Sequence, residues 1–204
     1  MNIRDDENNV VNIRGKVQNS LEVINGDLGE KIYHTIISAK RLSGKEDCIP
    51  VVFPEHLMTK EEFDVESEIS IRGQFRSYNR NVSGRNQLKL YIYVNEICDK
   101  GGTDEKVNEI ALAGFICKKP HYRVTPLGKE ITDIMLAVDR SGGKNDYIPC
   151  ICWWTNAKQT AELEVGDKIT IRGRIQSREY IKRVNGQEET RTAYEVSARE
   201  VIPG

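Results

Sequence analysis

The chain has 204 residues, of which 38% are hydrophobic and 30% charged, and its formal net charge is -1 at neutral pH. This composition excludes the strongly charged, apolar-poor class of disordered proteins, and no apolar run reaches the ~18 residues of a membrane span. The opening MNIRDDENNV has no apolar segment of a secretory signal, so we expect a cytoplasmic protein without a membrane partner. Because the total charge is near zero, a nucleic-acid-binding surface would require a local concentration of positive charge.

Short strands are the predicted elements of the first half of the chain. In EISIRGQFRS, Ile69, Ile71 and Phe75 share one face while Arg72 and Arg76 share the other, which is typical of a strand with one buried face. The segment PEHLMTKEEFDV, residues 54–65, predicts a short helix. Strands are predicted at residues 12–17, 32–40, 48–53, 68–77 and 88–95.

The second half of the chain repeats the first. ISIRGQFRS at residues 69–77 recurs as ITIRGRIQS at 169–177, and a shift of 99 aligns residues 29–53 with 128–152 without a gap. Five strands per repeat, with a helix between the third and fourth, fit a small closed OB-fold barrel better than a sandwich of about seven strands. In this repeat the pattern directly assigns four of the five strands, at 109–116, 131–139, 147–153 and 168–180, and a helix at 155–165.

These elements predict an all-β chain with two tandem five-stranded OB-fold barrels, each with a short helix between strands three and four. The first barrel takes residues 10–98 and the second 107–204. Residues 1–9 are predicted to be a flexible N-terminus. The polar, glycine-containing residues 99–106 are predicted to be a linker.

Positive charge is concentrated on the fourth strand of each repeat and on the hairpin after it. Residues 69–95 carry five cations and no acid, and residues 168–183 carry six cations and one acid. Tyrosines are interleaved with these cations, and a cationic groove with rings for base stacking is what single-stranded nucleic-acid binding requires. The candidate contacts are Arg72, Arg76, Tyr78, Lys89, Tyr91, Tyr93, Arg172, Arg174, Arg178, Tyr180 and Lys182.

Outward arginines and tyrosines on a strand have a second interpretation, a solvated sheet face or a contact between subunits. The same bias in both repeats favours nucleic acid. Duplexes hide their base faces and the chain has no groove-reading helix motif, so single strands are the expected ligand. Stacking does not depend on the sugar, so the residues do not distinguish DNA from RNA.

The second repeat contains a distinctive combination of motifs. NEIALAGFICKKPHYRVTPLGKEITDIMLAVDR contains a strand with Gly114 and a Pro-x-x-Arg-x-Thr-x-x-Gly turn, and YIPCICWW is followed by GDKITIRGRIQSREY. In this combination the repeat resembles the bacterial single-stranded DNA-binding proteins, whose opening the first stretch matches and whose later part the other two match. The resemblance covers most of residues 108–201. It implies an OB barrel that assembles as four barrels, binds single strands without sequence preference, and stacks bases on Tyr147, Trp153 and Tyr180.

Strand parity supports this assignment, because Tyr147 and Trp153 share one face of the predicted third strand. Trp154 is then expected to point toward the core or to cover the helix. In the alternative, both tryptophans pack under the helix. The opposite face of the strand carries Ile148, Cys150 and Cys152.

The first repeat departs from the family pattern. Cys48 and Pro54 stand where the second repeat has Tyr147 and Trp153, so this barrel either binds more weakly or binds along a different path. Two barrels per chain and four per assembly imply a homodimer. The family's acidic C-terminal tail, which recruits other replication and repair proteins, has no counterpart in the closing VIPG, so recruitment through such a tail is not expected.

Other classes of function are weaker. Cys117, His121, Cys150 and Cys152 could suggest zinc, but a Cys-x-Cys pair on a strand also suits a core, so we expect no metal or cofactor. The chain has no acid–base pair, P-loop or nucleophile elbow, so we expect no enzyme. The sequence thus predicts protection of single-stranded DNA in replication, recombination or repair. The alternative is an OB-fold interaction module, such as a primosome or mobile-element accessory factor, with weak or no nucleic-acid binding.

Overall fold

Buried and exposed residues alternate along the long strands of the structure, which is a computed structural model. It describes residues 7–25, 30–58, 64–82, 84–98, 108–184 and 187–204. In the fourth long strand, Ile69, Ile71 and Phe75 are at most 4% exposed, whereas Arg72 and Arg76 on the other face are half-buried. The predicted linker 99–106 and residues 1–6 of the predicted flexible N-terminus lie outside the described residues.

The first half of the chain forms a closed five-stranded barrel, as predicted. β1 pairs with both β3 and β5, β3 pairs with β4, β5 pairs with β6, and a short parallel pairing of β4 with β6 closes the barrel. β2 is an additional short strand on the edge of β3. The strands are β1 (Asn9–Val17), β2 (Glu22–Asn25), β3 (Lys31–Lys40), β4 (Glu46–Pro54), β5 (Glu68–Val82) and β6 (Arg85–Cys98).

The short helix predicted at residues 54–65 is present in the described residues as a 3₁₀ helix, Glu55–Leu57, but it does not include Pro54, which ends β4. Pro54 has an extended backbone with ψ 152°, so it belongs to the strand rather than to a first helical turn. Residues 59–63 lie outside the described residues.

The second half repeats the barrel with the same connections. β7 pairs with β9 and β11, β9 with β10, β11 with β12, and β10 with β12 in parallel, while β8 lies on the edge of β9. The predicted helix is present as seven-residue α1, and no helix of the described residues is long and apolar enough to cross a membrane. The elements are β7 (Asn108–Ile116), β8 (His121–Val124), β9 (Glu130–Arg140), β10 (Lys144–Trp153), α1 (Thr155–Ala161), β11 (Lys168–Val184) and β12 (Gln187–Pro203).

Glycine allows the long fourth strand of each barrel to bend against its neighbour. The register shifts between Arg72 and Gly73, and in the second barrel between Arg172 and Gly173. A Cβ atom at Gly73 would collide with the carbonyl oxygen of Tyr93. Only glycine permits this close approach of two backbones, which is typical of strands that turn a barrel corner.

The two barrels join edge to edge through their first strands. β1 and β7 pair antiparallel, with Val11 opposite Ile110. These two residues are equivalent under the shift of 99, so the pairing has an approximate two-fold symmetry. The central strands therefore run in the order β6-β5-β1-β7-β11-β12.

Each barrel sends its last hairpin across to the other barrel. We name residues 77–90 of β5 and β6 the first hairpin and residues 177–194 of β11 and β12 the second hairpin. At the base of the first hairpin, the Ser77 N–H donates to Asp146 of the second barrel at 2.7 Å. At the base of the second, the Ser177 N–H donates to Asp47 of the first barrel, also at 2.7 Å. The symmetry brings both hairpins over the outer strands of the neighbouring barrel.

Candidate nucleic-acid interface

A groove of about 920 Å³ lies between the two hairpins on the outer face of the first barrel. Its walls include Tyr78 of the first hairpin and Tyr180 and Tyr194 of the second, and its floor includes Tyr91 and Tyr93 of β6. We name this surface the tyrosine groove after these five residues. Both barrels contribute to it, so it exists only in the joined molecule.

Strand alternation explains why tyrosines form the floor of the groove. Ile92 and Val94 of β6 are fully buried in the barrel core. Because successive side chains of a strand point to opposite faces, Tyr91 and Tyr93 point outward. Val52 pairs with Tyr93 across the parallel β4–β6 contact and also lines the groove. The floor is therefore apolar and aromatic.

The rings of the first barrel are held in defined orientations. The rings of Tyr78 and Tyr91 meet edge to face, with centroids 5.8 Å apart and an interplanar angle of 68°. The guanidinium of Arg76 lies 4.1 Å from the centroid of the Tyr93 ring. Burial raises the pKa of Tyr91 above its ordinary value, so this ring stays neutral. Such preoriented rings offer flat surfaces against which bases can stack.

Tyr180 lies in the groove of the first barrel although it belongs to the second. Its side chain is 38% exposed, and the guanidinium of Arg178 is 5.9 Å from its ring centroid. The second hairpin carries it there by crossing to β4. Tyr180 therefore shares one surface with the tyrosines that the sequence assigns to the other repeat.

Tyr147 lies at the other side of the junction between the barrels. Its N–H donates to Ser77 Oγ of the first hairpin at 2.7 Å, and its side chain is 41% exposed. Pro149, two residues further along the same face of β10, lines the tyrosine groove. The outward face of β10 is thus continuous with the groove.

Trp153 occupies the far end of that face. It lies six positions along the strand from Tyr147, a distance of roughly 20 Å. Its indole is half-buried, Nε1 donates to Ser197 Oγ at 3.1 Å, and the Lys129 ammonium is 6.0 Å from the ring. The predicted parity is confirmed, since Ile148, Cys150 and Cys152 on the opposite face are at most 2% exposed. These thiols are core residues, and no group of three or more His, Cys, Asp and Glu in the described ranges could hold a metal ion.

The expectation that Trp154 points toward the core is wrong. Its side chain is 53% exposed. The strand ends at Trp153, and the backbone turns at Trp154 with φ 54° and ψ -120° to begin α1. The two-residue periodicity that predicted an inward indole stops one residue earlier.

Three of the predicted arginines are paired with acids. Arg72 bonds to Glu7 at 2.7 Å, and Arg172 bonds to Glu200 at 3.0 Å. Arg174 reaches Asp47 of the first barrel at 3.0 Å. The three acids lie outside the basic segments 69–95 and 168–183, so the charge of those segments does not include them. The central strands consequently carry compensated charge.

The cations of the hairpins remain exposed. Arg178 and Lys182 project from the second hairpin, and Lys89 projects from the first and lines the tyrosine groove. Arg80 also lines the groove. Glu22 also lines the groove, so its described lining holds two cations, Arg80 and Lys89, against one acid.

Three residues that line the tyrosine groove or contact Trp153 were not predicted from the sequence. Tyr194 follows a segment that the strand pattern left unassigned. Lys129 lies in a turn, and Pro149 is an apolar strand residue without a chemical signature. Only the crossing of the hairpins places Tyr194 and Pro149 in the tyrosine groove.

Comparison with known proteins agrees with this architecture. Residues 107–202 match the model of the single-strand binding protein family. The chain is 36% identical over 81 residues to single-stranded DNA-binding protein B of Bacillus subtilis, covering 36% of this chain and 71% of that protein. It is 35% identical over 81 residues to protein A of the same organism and to protein 2 of Listeria innocua, again over 36% of this chain, but it spans only 47% and 51% of their lengths.

A solved structure extends the likeness to both barrels. The wild-type single-stranded DNA binding protein from Thermus aquaticus superposes with a TM-score of 0.75, covering 96% of this chain and 92% of that one at 18% identity. At that identity the likeness concerns the fold, and it supports two tandem OB-folds. From the match of its second repeat to the family model and to its relatives, this chain belongs to the single-strand binding protein family.

Proposed function

We propose that this protein binds single-stranded DNA without sequence preference and protects it during replication, recombination or repair. The observation that carries the proposal is the tyrosine groove, in which five rings from two barrels line one surface rimmed by cations. Each base that stacks on an aromatic ring contributes about 1–3 kcal/mol, and every base has a flat face, so such binding tolerates any sequence. Duplex DNA keeps those faces covered.

The proposed path joins the two barrels. Bases stack on Tyr147 and Trp153 along the outer face of β10. In the tyrosine groove they stack on Tyr180, Tyr78, Tyr91 and Tyr93. Lys89, Arg76, Arg178 and Lys182 contact phosphates. Arg72, Arg172 and Arg174, whose partners are carboxylates, are omitted from the proposed contacts.

We infer that the protein acts by binding and not as an enzyme. We also infer that it works in the cytoplasm, because the DNA of a bacterial cell is there.

We also propose that two chains associate so that four OB-folds form one assembly. The outer face of the central strands carries arginines that are already paired with glutamates. Paired charge can be covered by another protein surface at a lower desolvation cost than unpaired charge. This face is therefore the proposed contact between copies.

An oligonucleotide titration tests the proposed function. Oligo-dT is expected to quench tryptophan fluorescence, and its affinity should fall with salt at a log-log slope of roughly -0.7 per phosphate contacted. A duplex of the same length is the control and should bind much more weakly. If oligo-dT does not bind at low salt, the protein is an interaction module instead. A parallel titration with oligo-U measures the preference between DNA and RNA.

A further inference from the structure

Trp154 combines an unfavourable backbone conformation with an exposed ring. Its φ of 54° lies in the region that favours glycine, and the other described residues with positive φ are six glycines and Glu66. Residues other than glycine persist in such conformations only where their surroundings enforce them, and such positions are concentrated at functional sites. Glu55, the equivalent position under the shift of 99, does not share this conformation.

Hydrogen bonds of the backbone hold Trp154 in place. Its N–H donates to the carbonyl oxygen of Glu130 at 3.0 Å, and its own carbonyl accepts the N–H of Lys158 at 3.1 Å. Among the described residues no hydrogen bond reaches the indole, and Trp154 is 53% exposed. The corner of β10 and α1 therefore determines the backbone of Trp154, while about half of the residue's surface is open to a ligand.

The surroundings of the indole suit a nucleotide. Trp153 precedes it, with the Lys129 ammonium 6.0 Å from the Trp153 ring. Lys158, one helical turn further, is 65% exposed and forms an ion pair with Glu130 at 3.2 Å. Two tryptophans and two lysines thus belong to one corner of the barrel, and Glu130 pairs with one of the lysines. An exposed ring on such a charged corner suits base stacking better than the docking of an apolar protein surface, which needs a continuous apolar patch.

We propose that Trp154 is an additional stacking site for a base of single-stranded DNA, which extends the bound strand from Trp153 around the corner between β10 and α1. This inference rests on the proposed function. The resemblance and the parity of β10 assign no role in binding to Trp154. Lys129, whose ammonium lies 6.0 Å from the Trp153 ring, is the phosphate contact at this corner.

Fluorescence of a protein with one tryptophan gives the direct test. The chain has two tryptophans, so Trp153→Phe leaves Trp154 as the single indole and keeps an aromatic ring at residue 153. Saturation with oligo-dT is expected to quench the remaining emission. Bound oligo-dT, detected by anisotropy of a label on the oligonucleotide, without any change in the emission would overturn the proposal.

Affinity gives the second test. Trp154→Gly removes the ring and suits the backbone, so it is expected to lower affinity for oligo-dT roughly 5- to 150-fold while the urea midpoint is unchanged or raised. Trp154→Phe should retain most of the affinity, and Val165→Ala, at another exposed apolar residue, should retain all of it. Equal affinity of Trp154→Gly and wild type would refute the stacking role. If Trp154→Gly unfolds early, Trp154→Phe and the single-tryptophan protein still decide the question. A wild-type protein that does not bind oligo-dT would remove the proposed function, and this inference with it.

Discussion

Tyr180 shows how one side chain can connect two barrels. It leaves the second barrel on a hairpin and lines a groove whose floor belongs to the first. A change at this residue should therefore alter the binding of DNA by both barrels without altering either core. Its neighbour Ile181 is 66% exposed and projects from the opposite face of the same strand.

Replacing Tyr180 with Ala is expected to weaken binding of oligo-dT by about 1–3 kcal/mol, since one stacking ring is lost. Ile181→Ala is the matched control, because it removes an exposed apolar side chain from the same hairpin outside the groove. Fluorescence titration at fixed salt measures both. Equal losses for the two variants would show that the hairpin, rather than the ring, determines affinity.

Burial also controls the chemistry of the cysteines. Cys152 is fully buried, and burial raises its thiol pKa from 9.0 to about 11. The folded state therefore holds this proton where the unfolded state loses it. The contribution of Cys152 to stability is complete below about pH 9 and is lost as the pH rises toward about 11.

Urea unfolding over this pH range checks the effect. The wild-type midpoint is expected to fall between pH 9 and 11 more steeply than that of Cys152→Ala, which has no thiol to ionise at this site. Comparing the two proteins removes the contributions of other alkaline groups. Parallel pH profiles would contradict the assignment.

At the scale of secondary-structure elements, the two hairpins are anchored by similar but unequal contacts. Asp47 is 1% exposed at its side chain and pairs with both Arg41 and Arg174. Among the described residues, the equivalent Asp146 pairs with one arginine, Arg140, at 3.5 Å. Gln74 stands where the other half has Arg174, and a cavity of about 460 Å³ between the barrels is lined by Gln74 and Asp146. The second hairpin is therefore held more tightly than the first.

This difference predicts unequal effects of two equivalent substitutions. Asp47→Ala leaves two guanidiniums without their buried partner and is expected to lower the free energy of unfolding by about 3–5 kcal/mol. Asp146→Ala should lower it by less. Urea unfolding of the two variants measures the difference, and a larger loss for Asp146→Ala would show that the extra arginine does not stabilise the junction.

At the scale of the whole molecule, one chain already contains a symmetric pair of barrels. The β1–β7 pairing consumes the free edge of each first strand, so further association must use another surface. The proposed surface is the outer face of the central six strands, where Arg72 and Arg172 are paired with acids.

Light scattering is expected to give twice the chain mass of 23.2 kDa. The double variant Arg72→Glu with Arg172→Glu places like charges opposite one another on the proposed contact and should give the mass of a single chain. Lys182→Glu changes charge on the second hairpin, away from that face, and should leave the mass unchanged. A double variant that remains dimeric and folded would move the contact elsewhere.

The strand pattern, the duplication and the family resemblance could be derived from the sequence, because two-residue alternation and repeated motifs are local properties. They predicted the closed barrels, helix α1 and the outward face that carries Tyr147 and Trp153. Local patterns lose their meaning where the periodicity of a strand ends, which is why the expected inward direction of Trp154 and the expected start of a helix at Pro54 were wrong.

Tertiary structure alone decided which residues share a surface. Pairing of β1 with β7 and the crossing of the hairpins place Tyr180 beside Tyr91, and they place Arg174 on Asp47, more than one hundred residues away in sequence. Charge and stacking depend on distances in space, and those distances are set by how two complete barrels pack, which no window of sequence contains.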